Sequence, residues 1–192
     1  MLRSGWDGLK TVPYAEGRAT MPYRYAGSIE VVLFVLFALS APGASNALAQ
    51  LPNPYGPSIT LENAKKIAAS AIAEARRNNW NMAVAVVDIS GDLVYFEKMD
   101  GTQAASVDIA PAKARSAARF KRPTKALQDV LAAGGEGLRL LALEGAVPVE
   151  GGLPIVMDDK IVGAIGVSGG TSQQDGQSAK AGTDALAQRR TP

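Results

Sequence analysis

The chain contains no cysteine and no histidine. The first absence excludes disulfides, zinc fingers, cysteine-held iron–sulfur clusters and thiolate nucleophiles. The second removes the commonest general base at neutral pH and the commonest ligand for transition-metal ions. Any catalysis must rest on carboxylates, lysine, tyrosine, hydroxyls or backbone amides. A strong charge of either sign is also missing: the 192 residues carry a formal net charge of +2, and from Gln50 onward 16 Lys and Arg face 15 Asp and Glu. No basic field of the kind that binds nucleic-acid phosphates results. Nor does any apolar run reach the about 20 residues that a membrane-spanning helix needs.

The apolar run that does occur near the front, Val31 to Leu39, is nine residues long. Arg24 precedes it, Pro42-Gly43 follows, and Ala47-Leu48-Ala49 places small residues where a signal peptidase reads. This is the layout of a secretory signal, cut after Ala49. A buried helix or strand is the alternative, but nothing amphipathic flanks the run. The expected organisation is a patternless 1–20, a start-site artefact or disordered, then a signal peptide over 21–49 with translation starting at Met21. An extended Pro-rich leader follows over 50–58, then one domain over 59–187 and a tail over 188–192. The mature protein is expected in the periplasm or outside the cell, with no membrane span.

Within the domain, Thr60 caps a helix whose Leu61, Ala64, Ala68, Ala71 and Ala75 share one apolar face. Met82–Asp88 and Leu93–Met99 form a hairpin about Ser90-Gly91. Residues 104–120 carry a helical pattern interrupted by Pro111, and Thr124 caps a short helix over 125–131. Gly134–Gly137 reads as a mobile loop. Strands are expected at Val147–Glu150, Pro154–Met157 and Lys160–Ser168. Ser172 and Asp175 then have the spacing of a capping box for a last helix. The class is α+β, an antiparallel sheet of about five strands flanked by helices in the order α-β-β-α-α-β-β-β-α.

From about Ile59 to Leu186 the sequence resembles the GlcG/HbpS-like family. That family is described as haem-binding or haem-degrading and also supplies the C-terminal domain of PduO-type corrinoid adenosyltransferases. The matching pieces, in order, are Val86-Val87-Asp88 with Gly91, Met99-Asp100-Gly101, Ala112-Lys113-Ala114, and Phe120 with Pro123-Thr124. Gly151-Gly152-Leu153-Pro154-Ile155 and Gly163-Ala164-Ile165-Gly166-Val167-Ser168-Gly169 complete them. The resemblance implies the same fold, homo-oligomers and, in several members, a bound tetrapyrrole. The chain departs from the pattern at Ser116, where members often carry threonine, and at Asp175-Gly176-Gln177-Ser178, where they often carry Asp-Glu-x-Cys.

Four candidate sites follow. Lys113, Ser116, Arg119, Phe120 and Arg122 offer an apolar wall with cations at its rim, as a flat molecule with carboxylates requires; a solvated helix end is the plainer reading. Gly169 and Gly170 precede a helix start and present backbone amides to an anion, or serve only tight packing. Gly151, Gly152 and Pro154 permit close backbone approach, either to a ligand or within a bulge; the resemblance places them at the family's pocket. Met99, with Met157, Tyr95 and the lysines, remains for iron, although a gap-filling core methionine is the simpler reading of Met99. The expected function is binding of a small molecule, haem or a related tetrapyrrole. One alternative is an enzyme acting on a small organic acid or degrading haem, with Lys113 as acid and base. The other is a non-catalytic structural or partner-binding subunit.

Overall fold

A computed structural model of the chain describes residues 53–187. The expected signal peptide over 21–49, the segment 1–20 and the tail over 188–192 lie outside the described residues.

Helix α1 (Leu61–Arg77) starts where the sequence places it, because the Thr60 hydroxyl accepts the Asn63 N–H at 3.3 Å. Ala64, Ile67, Ala68, Ala71, Ile72 and Ala75 form its buried face, while Leu61, expected on that face, is exposed. Strands β1 (Ala83–Val87) and β2 (Leu93–Lys98) form the expected hairpin. Helix α2 (Ser106–Phe120) continues through Pro111, the residue that interrupts its sequence pattern. Helices α3 (Thr124–Ala132) and α4 (Ser172–Ala187) and strands β3 (Gly152–Met157) and β4 (Lys160–Ser168) complete the regular elements. The four strands lie in the order β2-β1-β4-β3, every neighbouring pair antiparallel.

Four local expectations are corrected. Val147–Glu150 joins no strand, since Pro148 lacks a donor and glycines at positive φ bracket the run (Gly145, Gly151). Its amides find side chains instead, Val147 N–H on the Ser116 hydroxyl and Glu150 N–H on the Gln128 amide oxygen. Gly135–Ala142 is a 3-10 helix rather than an unstructured loop. Thr124 is the first residue of α3 and not its cap, and its hydroxyl accepts the Gly152 N–H at 2.9 Å. The capping box of α4 sits one residue earlier than expected. Thr171 N–H reaches the Gln174 side chain, and Gln174 N–H the Thr171 hydroxyl, which leaves Asp175 for other duties.

The sheet separates two unlike layers. On one side α1 and α4 pack on large aliphatic side chains, among them Val84, Val86, Ile155, Ile165 and Val167. On the other side Ala110, Ala114, Ala117 and Ala118 of α2 press on Ala83, Ala85, Val87 and Ala164. So near does α2 lie that a methyl group on Gly166 would overlap the Ala110 carbonyl oxygen. The leader is part of this fold. Gly56 N–H and Ile161 N–H pair with Ile161 O and Pro54 O at 2.8 Å, so the leader lies alongside β4 near its first residues. The Tyr55 hydroxyl donates to Ala118 O at 2.8 Å, and its ring receives the Lys121 ammonium at 4.1 Å.

Candidate functional site

Lys113 points from α2 towards the last residues of β4 and is only 1% exposed. An ammonium so buried requires an anionic partner. Its Nζ donates to Asp175 Oδ2 at 2.7 Å and to Val167 O at 3.1 Å. Asp175, in the first turn of α4, accepts the Gly170 N–H on its other oxygen at 3.0 Å. Because α2 and α4 lie on opposite sides of the sheet, this ion pair joins the two layers. Burial pushes the Asp175 carboxyl above its ordinary range, against the pull of the Lys113 ammonium and the Gly170 and Gly169 amides.

The chain seals this pair in. At Gly151 (φ 125°) a Cβ would stand 2.7 Å from Val167 O and 2.9 Å from Lys113 Nζ. At Gly152 it would stand 2.6 Å from Thr124 Cγ2. Both glycines are thus required by backbone passing over an ion pair and a helix. A second acid lies near: the Glu150 carboxyl rests against Gly176, and its buried Oε2 has no hydrogen-bond partner. Ser106 and Ser168 share a buried hydroxyl contact of 3.1 Å that ties the start of α2 to the end of β4.

The structure therefore brings Lys113, Gly151, Gly152, Gly169 and Gly170 together, and Asp175 with them. It places Arg119, Phe120 and Arg122 elsewhere. Arg119 donates to Ser90 O in the β1–β2 turn, beyond the Val87 end of β1. Gly169 packs on Asn81, beyond the opposite end. Arg122 is exposed and donates to Phe120 O, and Phe120 is half-buried. Ser116 is fully buried, its hydroxyl holding Val147 N–H at 3.0 Å. Pro154 is half-buried in β3 opposite Ala164. Met99 packs against the aliphatic layer. The sequence reading missed Asp175 as the partner of Lys113. The one signal available was an acid in a helix's first turn, which the capping box had absorbed.

A cavity of about 420 Å³ lies between the leader, the start of α1 and the β3–β4 turn. Ile59, Val162, Pro57 and Met157 give it apolar walls, and Lys160, Asp158 and Asn63 give it polar edges. Its volume falls in the range of small-molecule sites. Among the described residues no group of three or more carboxylates could hold a metal ion, and no helix is long and apolar enough to cross a membrane.

Residues 59–184 match the family model described as "Haem degrading protein HbpS-like". The chain belongs to the HbpS-like family. GlcG of Escherichia coli K12 is 37% identical over 110 residues, which are 57% of this chain and 81% of GlcG. Among solved structures of this fold, a double mutant of Streptomyces reticuli HbpS superposes with a TM-score of 0.63 at 32% identity, covering 68% of this chain and 88% of HbpS. A haem complex of PduOC superposes with a TM-score of 0.61 at 25% identity, covering 67% of this chain and 94% of that one. The HbpS-like fold is thus common to proteins whose sequences differ at most positions.

Proposed function

We propose that this protein binds haem or a closely related tetrapyrrole and is exported after removal of a signal segment ending near Ala49. What carries the reading is membership of the HbpS-like family across essentially the whole described domain, together with a relative of this fold solved as a haem complex. The chemistry of the chain is compatible with that ligand. Haem asks for an apolar wall, cations for its two propionates and a donor for iron. With no histidine or cysteine in the chain, iron is held weakly by a thioether, a phenol or an amine, or haem is retained through propionate and apolar contacts alone. When bound, haem supplies a redox-active iron and a strong visible absorbance.

A role for Lys113 as acid and base is not part of this proposal, because its ammonium is buried against Asp175. Homo-oligomers are part of it. Val130, Leu138, Leu141, Leu143 and Val149 lie exposed on the segment from α3 to β3, Leu141 by 71%. Exposed apolar residues so concentrated suit a protein–protein contact.

The test is a titration of the full chain with haem at micromolar protein. The expected outcome is a saturable shift of the Soret band at a fixed stoichiometry, and a flat titration overturns the reading. Sequencing the amino terminus of the exported protein checks the export half, with Gln50 as the expected first residue.

A further inference from the structure

Resting on the haem reading, we infer that the ligand occupies the cavity between the leader and the β3–β4 turn, with Met157 as the iron donor and Lys160 as the partner of a propionate. The inference starts from the described tyrosines and methionines and the one buried lysine. The Tyr55 hydroxyl is committed to Ala118 O, and the Tyr95 hydroxyl to Glu97. Lys113 is committed to Asp175. Of the three described methionines, Met82 is fully buried and Met99 packs on the aliphatic layer. Met157, half-buried, lines the cavity between the leader and the β3–β4 turn. A thioether is an established soft ligand for haem iron.

The charges of the same cavity agree. Lys160 enters none of the described ion pairs, so its ammonium is available at the rim. The start of α1 forms a second edge, where Thr60 and Asn63 line the cavity. A 17-residue helix presents partial positive charge there. Asp158, in the β3–β4 turn, is the one acid among the lining residues, and Glu62 in the first turn of α1 lies outside the lining. The Ile59, Pro57 and Val162 surface between these edges suits a flat apolar ring. By contrast, the basic stretch at Arg119–Arg122 does not line this cavity.

Three variants of the full chain test the assignment by haem titration, each first checked for an unchanged melting transition. Met157→Leu conserves volume and removes the sulfur, so it should still bind but with a shifted Soret maximum. Lys160→Glu reverses the charge and should bind about tenfold more weakly, the size of one charge-assisted hydrogen bond. Asn63→Trp, which fills the cavity from α1, should abolish binding. Arg122→Ala should bind as the parent does. If the parent binds haem and Met157→Leu leaves the spectrum unchanged, or the other two variants leave the affinity unchanged, the assignment falls while the haem reading stands. A parent that takes up no haem overturns both.

Discussion

The two faces of the sheet are built on different principles, and neighbouring residues of β4 show it. Ile165 points into the aliphatic layer under α1 and α4, where bulk fills space between elements. Gly166, one residue on, meets the Ala110 carbonyl oxygen and the Ala114 amide of α2, where no side chain fits. The first face is held by apolar volume. The second is held by closeness, alanine against alanine, and it carries a buried charge at Lys113, whose ammonium crosses to Asp175 in the other layer. Apolar packing tolerates modest loss, whereas a close backbone contact and a buried ion pair tolerate little.

The largest effect should come from breaking the link between the layers. Lys113→Met leaves Asp175 buried and unpaired, and should cost about 3–5 kcal/mol in urea unfolding. With the ammonium gone, burial is left pushing the Asp175 carboxyl upward. A raised folded-state pKa means stability present at low pH and lost as pH rises through that value. The defect of Lys113→Met should therefore shrink on acidification, and a defect that grows instead contradicts the account. Replacing both partners (Lys113→Met with Asp175→Leu) should recover most of the loss.

Next comes the pair of single-carbon changes on β4. Gly166→Ala adds a methyl on the close face and should cost about 1–3 kcal/mol as α2 is forced outward. Ile165→Val removes one carbon from the aliphatic face and should cost about 0.5–1.5 kcal/mol. Equal costs would mean that the faces do not differ as described. The smallest effect is Thr60→Ala, which removes the cap of α1 and should cost about 1 kcal/mol by thermal unfolding, without altering α2.

The parts of the fold visible in the sequence were those governed by local rules. The repeat of alanines from Ala64 to Ala75, the Thr60 cap and the Ser90-Gly91 turn each act within a few residues. What stayed hidden depended on distant partners. Thr124 looks like a cap until Gly152, 28 residues on, is seen to claim its hydroxyl. Asp175 looks like half of a capping box until Lys113, 62 residues earlier, takes its carboxylate. The proline-rich leader looks like a spacer until Tyr55 reaches Ala118. For the candidate site, Lys113 and the glycines at 151, 152, 169 and 170 were singled out from sequence, and the fold assembles them around one ion pair. The cavity by Met157 and Lys160 could not be read from sequence, because its walls come from two stretches of chain about a hundred residues apart.

The most direct measurement is the absorbance spectrum of the full-length protein purified from a haem-replete host. The account predicts a Soret band in fixed proportion to protein, retained through gel filtration. Protein that emerges colourless and stays so when haem is added at micromolar concentration would contradict it.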